Sequence, residues 1–213
     1  MNSISENTQS WQDVYAGSES KTPWTKNPIP KDIFNKFSKL LAFNAKLLDY
    51  GCGDGVHIPF FKEKGMIIVG CDISQNALDI VKAKNPGIEA IQSSDPANLN
   101  ITNFDCALVW GVMHHIKFDL WDSYLESFSK IIKPGGYMLI AGHSRSDQEF
   151  EERGCRTSPT TGEISYAVDP LEELLPHHNF AIVESGYFPF VEAYTGSPRA
   201  FKYFLTKRLC RHR

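Results

Sequence analysis

The chain has 213 residues, 42% hydrophobic, 12% aromatic and 22% charged. That is globular composition at the size of one α/β domain, and it excludes collagen-like, low-complexity and disordered classes. Lys+Arg 22 against Asp+Glu 25 gives a formal net charge of −3, so no global field draws in a polyanion and a nucleic-acid partner is disfavoured.

Residues 1–7 are polar and lack the basic-then-apolar layout of a secretory signal. No apolar run approaches the ~20 residues that span a bilayer. A cytoplasmic location without a membrane partner is expected. Cys52, Cys71, Cys106, Cys155 and Cys210 are scattered and form no CxxC pair. They are expected to be reduced structural thiols, with neither a disulfide framework nor a metal site.

Residues 1–30 read as a lead-in punctuated by Trp11, Tyr15, Trp24 and three prolines. Over 31–43 the apolar residues Ile33, Phe34, Phe37, Leu40 and Leu41 recur at helical spacing. Residues 46–50 form a strand that runs into Gly51-Cys52-Gly53-Asp54-Gly55 and then a helix over 56–64. A second strand (66–71), a helix-starting turn (72–74) and a helix to residue 84 follow. Strands at 88–92 and 104–110, a helix at 121–131, the turn Lys133-Pro134-Gly135-Gly136 and a strand at 137–141 continue the alternation. That rhythm predicts a parallel sheet covered on both faces. Residues 144–165 break it with a long polar stretch of a kind that is usually functional or mobile. After a helix at 170–175, strands at 180–187 and 201–206 have no helix between them and are expected to pair antiparallel.

In an open parallel sheet, ligands bind outside the carboxyl ends of the strands. Gly51, Gly53 and Gly55 lie there, where a backbone must pass close to a ligand. Asp72 follows the second strand, about 20 residues on, where an acid accepts hydrogen bonds from ribose hydroxyls. The third glycine of a dinucleotide fingerprint is missing, since position 56 is Val. Asp49 before the turn would repel a pyrophosphate but suits an ammonium or a bound water. These residues favour a cationic, phosphate-free nucleoside.

With those residues in place, the chain resembles the class I S-adenosylmethionine-dependent methyltransferases, in their small-molecule branch. Leu47-Leu48-Asp49-Tyr50-Gly51-Cys52-Gly53-Asp54-Gly55 is similar to the first motif, and Gly70-Cys71-Asp72-Ile73-Ser74 to the ribose-binding second motif. Residues Phe104 to Ile116 resemble the fourth-strand motif, and Ile131 to Tyr137 the turn entering the fifth strand. The resemblance implies a Rossmann-like, doubly wound α/β fold with a seven-stranded sheet, mostly parallel with an antiparallel C-terminal strand. The expected organisation is a single domain over 1–213, with 1–30 as a lid segment and 144–165 as a substrate-side insertion.

It further implies S-adenosyl-L-methionine as cofactor and S-adenosyl-L-homocysteine as product. Asp49, Gly51, Cys52 and Gly53 would hold the methionyl part, Asp72 the ribose and Ile73 the adenine. Asp95 would reach the adenine amino group, and Trp110 would line the pocket between cofactor and substrate. Trp11 and Tyr15 are either the lid over this site or plain core.

Methyl transfer needs alignment and sometimes a base, and no protein nucleophile. His114, His115 and His143 follow strands four and five, face the crevice and are the candidate bases. Met113, His114 and Arg145 are the candidate substrate contacts, Arg145 as a bidentate holder of an acidic group. Acids 147, 149, 151 and 152 read as a surface charge run; bordering the pocket, they would repel a phosphate backbone or attract a cationic acceptor. The basic residues from 207 to 213 read as a solvated tail. The reading is methyl transfer to O, N or S of a small-molecule acceptor by a monomer or homodimer. Its rivals are a non-catalytic S-adenosylmethionine-binding partner subunit, a protein or RNA methyltransferase, and a nicotinamide-dependent oxidoreductase.

Overall fold

The computed structural model describes residues 3–16, 22–147, 149–150, 154–158, 162–193 and 195–210. The chain begins with helices α1 (Ser3–Val14) and α2 (Lys31–Ser38), then β1 (Lys46–Tyr50), α3 (Ile58–Glu63), β2 (Ile67–Asp72), α4 (Gln75–Lys84) and β3 (Glu89–Gln92). It continues through β4 (Phe104–Trp110), α5 (Trp121–Ile131) and β5 (Ile132–His143). A short antiparallel hairpin, β6 (Cys155–Thr157) and β7 (Ile164–Tyr166), precedes α6 (Leu171–His177), β8 (Phe180–Val191) and β9 (Pro198–Arg208).

The main sheet has seven strands in the order β3-β2-β1-β4-β5-β9-β8. The first five are parallel, and β9 runs antiparallel to both of its neighbours. This is the Rossmann-like sheet that the motifs imply, its one reversed strand lying inside the edge rather than at it.

Side-chain alternation explains why helices cover both faces. Leu48, Val69, Ala107, Val109 and Ile140 face one core with Trp121, Leu125, Phe128, Leu171 and Leu175. Their neighbours Leu47, Ile68, Cys106, Leu108 and Leu139 face the other, with Phe34, Phe37, Ile58, Phe61 and Val81. Consecutive strand residues point to opposite sides, so near-continuous apolar strands require two covered faces. Cys52, Cys71 and Cys106 are buried free thiols, and burial raises their pKa values well above normal, keeping them protonated.

Several boundaries differ from the sequence expectation, among them those of β8 and β9, which run on to Val191 and start back at Pro198. α2 stops at Ser38 instead of continuing to 43, and Phe43 is left 78% exposed. Strand β5 begins at Ile132 and carries the Pro-Gly-Gly residues as an irregularity in its pairing with β4, where Gly135 has φ +81°. The insertion is not uniformly irregular, because β6 and β7 pair within it. Among the described residues, no helix is long and apolar enough to cross a membrane.

Candidate active site

β1 is flanked by β2 on one side and β4 on the other, and a sheet reverses its winding at such a point, opening a crevice at the carboxyl ends. The glycine turn forms the floor. Gly51 and Cys52 donate their N–H groups to the Cys71 carbonyl at 2.7 and 2.9 Å. Gly51 has φ +71°, and a Cβ there would come within 2.3 Å of Val112 Cγ2. Gly51→Ala is therefore expected to destabilise the fold by about 1–3 kcal/mol, from left-handed strain plus overlap. A lowered urea midpoint with unchanged slope would show it.

Asp72 is tied directly to this turn. Its carboxylate accepts the Gly53 N–H at 2.9 Å and the Ser74 N–H at 2.9 Å. Burial raises its pKa to about 6, against the lowering effect of those backbone hydrogen bonds. Asp49 lies beneath the turn, 2% exposed, and its Oδ2 has no hydrogen-bond partner among the described residues. Burial and the nearby charge of Asp72 push its pKa up to about 7. Asp54 is buried too, but Lys84 Nζ neutralises it at 2.8 Å. The floor thus concentrates negative charge, which a cationic ligand would offset.

Helix α1 roofs the floor. Gln12 Oε1 accepts from Asn76 N at 3.1 Å and Ser74 Oγ at 3.3 Å, while Asn76 Nδ2 donates to the Gln12 carbonyl at 2.8 Å. These bonds fasten α1 to the start of α4. The anchored helix sets Tyr15, 4% exposed, so close to Gly53 that a Cβ there would meet its hydroxyl at 2.5 Å. The Trp11 ring stands edge-on to His115 at 4.9 Å, and Trp24 packs edge-on against Trp11 and Tyr15.

A cavity of about 270 Å³ runs from the glycine floor to the ends of β4 and β5. On one side, Ile73, Ser93, Ser94, Tyr50 and Tyr124 line it, and both tyrosine hydroxyls donate to the Ser94 carbonyl. On the other, Trp110, Phe188, Phe190 and Phe201 make an aromatic wall, with ring centroids 5.2–6.0 Å apart. His114, His115 and His143 close that end with Arg156, Ser165 and Glu192. Burial lowers the pKa values of all three histidines, that of His115 to about 3, so they are neutral at physiological pH. Among the described residues, no group of His, Cys, Asp or Glu converges as metal ligands do.

A family model described as a methyltransferase domain matches residues 26–185. The chain belongs to the class I S-adenosylmethionine-dependent methyltransferases. The ubiquinone biosynthesis O-methyltransferase of Vibrio vulnificus (strain YJ016) is 27% identical over 131 residues, 58% of this chain and 54% of the relative. The matched segment thus spans about half the length of that relative. Among solved structures, a methyltransferase from Anabaena variabilis is similar in fold, with TM-score 0.75 at 18% identity, covering 98% of this chain and 96% of that one. So is the Burkholderia thailandensis 1,6-didemethyltoxoflavin-N1-methyltransferase, solved with S-adenosylhomocysteine, at TM-score 0.71 and 19% identity over 97% and 87%.

S-adenosylmethionine, the cofactor of this family, is a sulfonium and ammonium cation with a ribose diol. The residues present fit it. An unpartnered buried carboxylate oxygen stands at Asp49, two residues before the turn, Asp72 lines the cavity at the end of β2, and a Cβ at Gly51 or Gly53 would overlap Val112 or the Tyr15 hydroxyl, so the backbone there stays bare.

Of the residues singled out in the sequence, Trp11, Tyr15, Gly51, Cys52, Gly53, Asp72, Ile73, Trp110, His114, His115 and His143 line the cavity. Four expectations are placed elsewhere. Asp49 lies behind the turn, and the Asp95 carboxylate accepts the Ala97 N–H at 2.8 Å, starting a short helical turn. Met113 belongs to the core, and exposed Arg145 packs over Gly154 while Arg156 faces the cavity. Asp147 is buried, not part of a surface charge run, while residues 151 and 152 lie outside the described residues, as do residues 211–213 of the basic tail. Trp24, His57, Tyr124 and the β8 aromatics were not singled out as site residues. For Phe188 and Phe190, the signal was available in their i, i+2 spacing on one strand face.

Proposed function

We propose that this methyltransferase acts on a hydroxyl of a small molecule held between Trp110, the three histidines and the β8–β9 hairpin. One observation carries the reading: the glycine floor and the aromatic–histidine chamber are parts of one roofed cavity of about 270 Å³. A planar ring of modest size suits that chamber, whereas a folded protein or a duplex needs an open surface. Relatives with an O-methyltransferase name favour oxygen among the possible acceptor atoms.

When bound, S-adenosylmethionine supplies a methyl carbon that the acceptor atom takes in line, with the carbon–sulfur electron pair leaving on sulfur. The protein's part is positional. Asp72 would hold the ribose and the glycine turn the methionyl chain. Trp11, Tyr15 and Trp24 would keep water from the reacting atoms, and the aromatic wall would orient the acceptor.

The test is a matched panel of catechol, aniline and thiophenol derivatives with S-adenosylmethionine, read by S-adenosylhomocysteine release and product mass. Methylation of hydroxyl members is expected. Transfer confined to amines or thiols would overturn the choice of atom. No transfer to any member, with cofactor binding intact, would return the chain to a binding-subunit role.

A further inference from the structure

The three cavity histidines are not equivalent. His114 is 4% exposed, with its Nδ1 buried and unpartnered among the described residues. Among the described residues His115 Nδ1 meets a serine hydroxyl, Ser165 Oγ, at 3.5 Å. Among the described residues neither has a carboxylate to stabilise an added proton, and each stands beside the other at 4.0 Å between ring centroids. His143 differs: its Nδ1 lies 3.2 Å from Asp147 Oδ2.

Asp147 is itself locked in place. It is 2% exposed, its Oδ1 accepts the Glu149 N–H at 3.1 Å, and Arg199 Nη1 approaches the same oxygen at 3.5 Å. Arg199, 5% exposed, also binds Glu149 at 2.6 Å and Glu192 at 3.0 Å. Glu149 in turn pairs with Arg156. The described cluster therefore holds three carboxylates against two guanidinium groups, one positive charge short of neutral. A proton arriving on His143 supplies that charge.

The imidazole plane is fixed as well. Phe150 stacks on it at 4.9 Å and 17°, while Phe201 and His114 stand edge-on at 4.9 and 4.8 Å. An ionised carboxylate only accepts hydrogen bonds, so the Nδ1 facing Asp147 must carry the hydrogen. The remaining lone pair is on Nε2, which takes no hydrogen bond among the described residues, in a ring that lines the cavity.

We infer that Asp147 and Arg199 are a positioning pair that holds His143 with its hydrogen on Nδ1, making Nε2 the proton acceptor for the substrate hydroxyl. This rests on the small-molecule reading above. The step balances simply: the acceptor O–H bond breaks, the proton goes to Nε2, and the electron pair stays on oxygen for the bond to carbon. The proton leaves His143 to water after transfer. His143 touches the substrate in this scheme, whereas Asp147 and Arg199 act through it.

The tautomer can be read without turnover. Long-range proton–nitrogen NMR of the labelled full chain should show the His143 hydrogen on Nδ1, and Asp147→Asn should move part or all of it to Nε2. A hydrogen on Nε2 in the wild type would overturn the inference, and that measurement stands even if the variant fails to fold. In the S-adenosylhomocysteine complex, 4-nitrophenol should bind with its visible phenolate band enhanced, and Asp147→Asn should lose the enhancement while keeping S-adenosylhomocysteine affinity.

With any hydroxyl probe that the wild type methylates, turnover should fall about 10²- to 10⁴-fold in Asp147→Asn. Arg199→Lys, which keeps the charge but loses the fork, should fall less. Unchanged turnover in Asp147→Asn would overturn the inference. Failure of every probe to bind or react, with the Nδ1 tautomer present, would count against the small-molecule reading alone.

Discussion

Replacing Asp72 with alanine is expected to lower the affinity for S-adenosylhomocysteine by about 30- to 1000-fold, roughly 2–4 kcal/mol for hydrogen bonds to a charged acceptor. Isothermal titration measures it. The carboxylate already accepts the Gly53 and Ser74 N–H groups, so it is oriented before any ligand arrives. Its two oxygens retain lone pairs for a ribose diol, and it lines the cavity beside Ile73. Asp72→Asn keeps one accepting oxygen, and with it only one of the Gly53 and Ser74 hydrogen bonds, and should lose less than the alanine variant. Equal, small losses in both variants would mean that the ribose is held by other groups, and the assignment would fall.

The parts of the molecule that were legible in the sequence are those whose geometry is set by neighbours in the chain. The turn from Gly51 to Gly55 and the acid at the end of β2 carry their conformations locally, and both were placed at the cavity. Strands β1, β2 and β4 and the 137–141 part of β5 were located by their apolar runs, because burial on both faces leaves few alternatives to continuous hydrophobicity.

What escaped was decided by contacts distant in sequence. Nothing local distinguishes Arg145 from Arg156. The β6–β7 hairpin, packed against the 114–115 turn through Ser165, makes one a surface residue and the other a wall of the chamber. Met113 and His114 are adjacent in a single helical turn, yet one belongs to the core and the other lines the cavity. Asp147 resembled a member of an acidic surface run, and only the pairing of Phe190 with Arg199 across β8 and β9 sets a guanidinium where it can reach that buried carboxylate. Asp95 sat at the expected spacing but caps the next turn through one oxygen and is not among the residues lining the cavity.

Asp49→Asn is expected to stabilise the ligand-free protein while weakening its grip on the cofactor. Burial and the charge of Asp72 raise the Asp49 pKa from 3.8 to about 7. A raised folded value means that the native state holds its proton more tightly than the unfolded chain. The associated stability is complete below about pH 4 and is lost as the pH rises from there through about 7. At pH 8 the wild type therefore carries an ionised buried carboxylate with an unpartnered oxygen, and the amide variant does not. The gain should be about 1–3 kcal/mol at pH 8, or roughly 2–10 °C in Tm for a chain of this size. The difference should shrink as the pH falls and vanish only below about pH 4, where the carboxyl is protonated in the unfolded chain as well as in the native state. Cofactor binding should respond in the opposite sense, because the carboxylate under the glycine floor attracts a cation only when ionised. Wild-type affinity for S-adenosylmethionine should rise between pH 6 and pH 8, and the rise should flatten in Asp49→Asn. A variant that is destabilised at pH 8, or that keeps the wild-type pH dependence of binding, would show that the Asp49 charge is not directed at the ligand. The two measurements together separate a carboxylate retained for binding from one retained for folding, since only the first costs stability in the empty protein and repays it when the cation arrives.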